Sequence, residues 1–412
     1  MSSPNRVATS AELDLARRLA PVIRFSDNEP FLPSRVGITI LTEPGRSPSA
    51  VLDITFEPGV TRVIEYAIWW DWDIQHLYEL EHIWLKLDAS DRVIAVEASA
   101  HGGIFPMALE NKALPLENGR VTLFSAPGKH AFSATAEGQS PAAEITTVSC
   151  QELAGRATIL VNDMFRDALA DLTAEDHRAV KRYLQTRAFL PSFTFNQRFD
   201  LSSVEFTSWP DLVEWIPGRV RAVLTEVQQS QPLLKAVFLD SGDTLVNEAT
   251  EVFDPEGYVI EAGLIPGALE MVQNLSREGY RLALVADGRV RSFATVLGGH
   301  GIAPHFHAQI ISETEGCEKP DPRMFRKAMA ALGLEDSNGI VMVGNHLERD
   351  IAGANALGIT TIWQSWSKKR SHIPANAREI PDYTIGSPGE LPTLLEEIER
   401  QMARRQMNPK PE

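Results

Sequence analysis

The apolar run "AVFL" (236–239) ends in Asp240, and "SGDTLV" follows it. A strand that ends this way delivers a carboxylate into a site at its carboxyl edge, where it can serve as a nucleophile. A second acid is expected two residues on if Asp240 has that role, yet Gly242 stands there. Asp287, Lys319 and Asn345 sit after later apolar runs of the same half. A second constellation lies in the other half. "WWDWDIQHLYELEHIWLKLD" (69–88), "EASAHGG" (97–103) and "PGKHAFS" (127–133) gather four histidines beside Asp73, Glu79 and Glu81. Neutral imidazoles with carboxylates suit Zn²⁺, Mn²⁺ or Fe²⁺, and His76, Glu81, His82, His101 and His130 are the candidate ligands. On an even strand Glu79 and Glu81 share one face and His82 takes the other, so convergence requires a bulge or turn. The competing reading makes these histidines satisfied core or turn residues, and Trp69, Trp70, Trp72 and Trp84 core aromatics.

The elements that must position these residues change character near residue 230. Before it, "VGITILT" (36–42), "AVLDITFE" (50–57), "RVIEYAIWW" (62–70), "LEHIWLKL" (80–87), "RVIAVEAS" (92–99) and "RVTLFSA" (120–126) read as short strands separated by turn residues. That rhythm predicts a β-rich antiparallel sandwich or barrel, with helical patterning at 158–187 behind a Thr173 cap and again at 210–228. After it, "AVFL", "LALVA" (282–286), "AQII" (308–311), "IVMV" (340–343) and "ITTIW" (359–363) alternate with helical patterns. Fully apolar strands alternating with helices predict a doubly wound parallel α/β sheet, whose ligands bind at the carboxyl ends of the strands. The expected organisation is a β-rich domain over 1–228, a Rossmann-like α/β domain over 229–403 and a disordered tail over 404–412.

A chain of 412 residues with 55 acidic and 39 basic residues carries a net charge of −16. Such a surface repels phosphate backbones and anionic leaflets, which argues against nucleic acid or membrane as the main partner. Two distant cysteines, Cys150 and Cys317, fit a reducing cytoplasm, and no apolar signal core opens the chain.

"FLDSGDTL", "LALVADG", "GCEKPDPRMF" and "VGNHLERDIAGANALG", in that order, resemble the four motifs of the haloacid dehalogenase-like hydrolases. The likeness covers about residues 233 to 400. It implies Mg²⁺-dependent hydrolysis of a small-molecule phosphoester through an aspartyl-phosphate on Asp240. Lys319 would hold the phosphoryl group. Asp240, the carbonyl of Gly242, Asn345 and Asp350 would hold the metal, while Ala286, Asp287 and His346 would face the substrate. Three positions depart from the pattern: Gly242 lacks the usual acid/base carboxylate, Ala286 lacks a hydroxyl, and Asn345 replaces an aspartate. Asp243, one residue beyond the missing acid, is the alternative proton donor. Only about 20 residues, "VNEATEVFDPEGYVIEAGL", remain for a lid, so covering the site or selecting substrate falls to the amino-terminal domain, another subunit of a homo-oligomer, or the substrate itself.

The first half is similar to β domains of the vacuolar sorting protein 62 family, on "LEHIW", "AHGG" and "GKHA". That likeness implies a sandwich with a His/acid pocket and no established reaction. Three functions stay open: a phosphoester hydrolase, a catalytically weakened domain kept for binding, and a bifunctional enzyme with a second metal site.

Overall fold

The computed structural model describes residues 6–50, 52–100 and 102–407, which fall into two compact units. One comprises the chain up to Leu172 together with Ala179–Gln229; the other comprises Thr173–Arg178 and the chain from Ser230 onward. His101 lies outside the described residues, as does 408–412 of the expected tail. Residues 404–407 are helical instead, because Leu391–Met407 continues one amphipathic helix past Ala403, which is buried.

In the first unit the long strands Arg62–Trp72 and His76–Leu87 pair antiparallel at the centre of a seven-stranded sheet. Arg35–Leu41 and Val93–Ala100 flank them. A five-stranded sheet is built on Val22–Phe25 and Arg120–Ser125. Both sheets are mixed rather than purely antiparallel: Glu205–Ser208 pairs parallel with Arg35–Leu41, and Val22–Phe25 pairs parallel with Arg120–Ser125. Eight consecutive residues of Arg62–Trp72 are buried, so this strand is covered on both faces and shows little alternation. Trp69, Trp70 and Trp84 are packing residues, each at most 1% exposed. Two expected elements shrink. Among the described residues of the run 50–57 the strand is Asp53–Ile54, and helix in 158–187 is confined to Ala174–Thr186. Thr173 and Asp176 do form reciprocal cap bonds at its start.

The second unit is organised by six strands: β1 (Ala236–Leu239), β2 (Leu282–Ala286), β3 (Ala308–Ile311), β4 (Ile340–Gly344), β5 (Thr360–Gln364) and β6 (Tyr383–Ile385). They run parallel in the order β3-β2-β1-β4-β5-β6. Alternate residues of each central strand enter two separate cores. Val237, Leu239, Leu284 and Val343 belong to one; Phe238, Ala283, Val285 and Met342 belong to the other. Helix Ala268–Arg277 buries Ala268, Met271, Val272 and Leu275 on one side, while Pro322–Ala331 buries Met324, Phe325 and Ala328 on the other. Both faces of the sheet are therefore closed, and polar chemistry is left to the strand ends. The chain winds away from β1 in both directions, so the switch point falls between β1 and β4, the place where such sheets bind ligands.

Candidate active site

A cavity of about 500 Å³ opens at that switch point. Asp240 and Asn345, the residues that follow β1 and β4, line it together with Lys319 and Asp350. The Lys319 ammonium sits 2.6 Å from Asp240 Oδ1 and 2.6 Å from Asp350 Oδ1. Thr244 Oγ1 donates to Asp240 Oδ2 at 3.3 Å, and the His346 amide donates to Asp350 Oδ2 at 2.9 Å. Burial works against the Lys319 charge, but Asp240, Asp350 and Asp287 outweigh it and raise its pKa. Burial, followed by the Asp240 charge, raises the Asp350 carboxyl despite the opposing ammonium. Two buried carboxylates thus share one fixed cation.

The other residues predicted from sequence divide between the cavity and its supports. Asp287 lines the wall, but its Oδ1 accepts the Lys319 amide at 3.0 Å and its Oδ2 accepts Arg349 at 3.3 Å, so it braces the lysine loop. His346 lines the cavity and is held toward its neutral form by burial, with Arg370 and Arg349 adding to the effect. Ala286 is 1% exposed in the apolar core and is not among the lining residues, which corrects its assignment to substrate. Asp243 is corrected too. At φ +48° its carboxylate turns into the loop, accepting Ser367 Oγ at 2.6 Å and the Glu248 amide at 3.0 Å. It braces the nucleophile loop and does not line the cavity.

Sequence reasoning missed Glu248. It lines the cavity, and a β-carbon on Gly242 would collide with its Oε1 and lie 3.1 Å from its Cδ. A carboxylate therefore occupies the space beside Gly242 where a side chain at that position would project. Burial and the Asp243 charge raise the Glu248 pKa, and Arg370, 3.1 Å from Oε2, opposes them. The lid is also more than a remnant. Val252–Phe253 and Val259–Glu261 form an antiparallel hairpin, and Phe253, Gly257 and Val259 line one wall.

In the first unit His76, Glu81 and His82 border one cavity, and His130 is not among its lining residues. His130 is fully buried and stacked on Trp70, with Nε2 3.6 Å from Glu29 Oε1. Glu81 is buried and accepts the Ser99 hydroxyl; burial and the Glu79 charge raise its pKa. His82 stacks on Trp84, and burial alone lowers its pKa to about 3. Among the described residues, donor atoms of Asp73, His76 and Glu79 meet.

His82 carries a measurable consequence. Its folded pKa is depressed from an unfolded value near 6.5, so its contribution is complete above that value and lost as pH falls toward about 3. The slope is about 1.4 kcal/mol per pH unit for one proton. Replacing it, as in His82→Gln, is expected to remove one proton from the linkage between those limits. Urea unfolding across that range measures this directly; an unchanged slope would show His82 protonated in the fold.

Comparison with known proteins agrees with the α/β fold of the second unit. The haloacid dehalogenase-like hydrolase family matches residues 200–358. The glyceraldehyde 3-phosphate phosphatase of Pyrococcus furiosus is 34% identical over 138 residues, which cover 33% of this chain and 55% of that protein. The phosphoserine phosphatase of Thermus thermophilus is 33% identical over 30% of this chain and 47% of its own length. The ribulose-1,5-bisphosphate 5-phosphatase of Halopiger xanaduensis is 30% identical over 39% of this chain and 70% of its own. The chain thus spans about half the length of the first two relatives and more of the third. The chain belongs to the haloacid dehalogenase-like hydrolases. The three relatives named are all phosphatases. Among the described residues no helix is long and apolar enough to cross a membrane.

Proposed function

We propose that the chain hydrolyses a small-molecule phosphomonoester, with Asp240 as nucleophile. The observation that carries this reading is the single Lys319 ammonium bonded to both Asp240 and Asp350 at the end of the switch-point strands, in a cavity large enough for a metabolite. Mg²⁺ fits the residues present. Asp240, Asp350, the Gly242 carbonyl and the Asn345 side-chain oxygen are hard oxygen donors, and two buried carboxylates exceed the one ammonium. When bound, the ion would neutralise charge on the phosphoryl oxygens.

The chain's own residues account for the remaining steps. Lys319 orients the phosphoryl group while Asp240 attacks phosphorus and the ester P–O bond breaks. Glu248, whose carboxyl pKa is raised by burial and the Asp243 charge, gives its proton to the departing oxygen. It then takes a proton from the water that cleaves the aspartyl-phosphate, returning Asp240 and inorganic phosphate. The lid hairpin holds water off one side of the cavity. Glu248→Gln is expected to lower kcat/KM about 10²–10³-fold with alkyl phosphates and under about tenfold with p-nitrophenyl phosphate, whose leaving group needs no proton. Equal losses on both substrates would remove Glu248 from the proton path.

The two sheets of the first unit share one cluster of buried residues, which supports reading it as a sandwich of its own, a second domain. We assign it substrate selection; Asp240-dependent activity against a phosphoester panel, measured with and without the first unit, tests that role. The free cysteines Cys150 and Cys317 support a cytoplasmic location.

A further inference from the structure

We infer that the first unit holds a divalent transition-metal ion, of the zinc class, between Asp73, His76 and Glu79. The ligand geometry starts from the His76 tautomer. Its Nδ1 lies 2.8 Å from the carbonyl oxygen of Tyr78, and a carbonyl only accepts, so Nδ1 carries the proton. With Nδ1 so occupied, the Nε2 side of the ring is left for a ligand role, and it lies 3.7 Å from Asp73 Oδ1 and 3.6 Å from Glu79 Oε2. These separations are too long for hydrogen bonds. Donor atoms of the three residues all lie within 4.8 Å of one another, so three electron-rich groups face a common point. Four ligands around zinc at about 2.1 Å stand about 3.4 Å apart, close to the spacing seen here.

The surroundings resemble those of a built site. Asp73 is fully buried and its carboxylate is fixed by Lys129 Nζ at 2.7 and 2.6 Å and by the Gln75 amide at 2.7 Å. His76 is fixed by the Tyr78 carbonyl, the outer-shell arrangement typical of ligating histidines. Lys129 is one ammonium against two carboxylates, that of Asp73, which it bonds, and that of Glu79, which borders the cavity with it. Buried His82 also lines this cavity of about 370 Å³, and its Nε2 has no hydrogen-bond partner among the described residues. Tyr78 accounts for the convergence. At φ +54° it interrupts the strand's alternation, bringing His76 and Glu79 together three residues apart. Three protein ligands leave a fourth position facing the cavity, as in zinc sites that bind water or substrate.

Full-length protein stripped by chelator and titrated with ZnCl₂, followed by calorimetry and elemental analysis, tests the site. The unmodified protein is expected to keep one zinc equivalent that His76→Ala and Glu79→Gln bind at least about 10–100-fold more weakly. Asp350→Asn should retain that equivalent, which separates it from the cavity at Asp240. Thermal unfolding confirms that each variant is folded, and Glu79→Gln, at a partly exposed position, decides the matter if His76→Ala is not. Equal zinc stoichiometry and affinity in the unmodified protein and the folded variants would overturn the site. So would loss of the equivalent in Asp350→Asn, while a proton on His76 in place of the ion would appear as no uptake in any of them.

Discussion

Asp240→Asn is expected to reduce phosphomonoester turnover about 10⁵–10⁶-fold, to the level of contaminating activity, with the fold intact. The amide keeps the shape that fills the space under Lys319 and Thr244, but it lacks the charge and nucleophilicity needed to attack phosphorus. A panel of sugar, amino-acid and nucleotide monophosphates assayed with Mg²⁺, measuring phosphate release for both proteins, gives the comparison. Equal rates would mean that Asp240 and Lys319 form only a structural ion pair and that the domain serves binding.

The second large effect is on stability. Lys319→Met removes the one ammonium that Asp240 and Asp350 share, leaving two buried carboxylates facing each other. Breaking a buried pair from one side costs about 3–5 kcal/mol. The cost depends on pH with a definite sign. Asp350 already has a raised folded pKa through burial and the Asp240 charge, and losing Lys319 raises it further. A carboxyl raised in the fold stabilises it below the unfolded value of about 3.9 and loses that contribution as pH rises through the folded value. The deficit of Lys319→Met is therefore expected to be larger at about pH 8 than at about pH 5 in urea unfolding. Added Mg²⁺ should recover part of it by binding the folded state. A pH-independent deficit would place the loss in packing rather than charge.

Asp240 is legible in the sequence because a buried strand rarely stops at an acid unless that carboxylate has work at the strand's end. Lys319 is legible from its place after a later strand. Glu248 is not legible. Its carboxylate reaches the space beside Gly242 only because the chain after Val246 folds back, and no periodicity marks such a return. Asp243 is misread for a related reason: one left-handed residue rotates its carboxylate toward Ser367, whose partnership is 124 residues distant in sequence. Among the described first-half histidines, His76 and His82 border one cavity while His130 is not among its lining residues. The fold stacks His130 on Trp70 and, through left-handed Tyr78, brings Asp73 and Glu79 to His76 instead. The parallel sheet is easier to read because its strands are apolar on both faces and its helices carry clear stripes.

The neck of the lid has a consequence for how this molecule can diversify. Val246 and Leu264 bridge antiparallel, and the Asn247 amide bonds the Gly263 carbonyl at 2.9 Å, so the excursion leaves and rejoins the sheet at one point. Lengthening a loop already closed at its base costs only about 0.6 kcal/mol per doubling. The entrance can therefore be enlarged, shortened or replaced by insertion while β1 and its aspartate keep their register, leaving selectivity free to drift without touching the reacting groups.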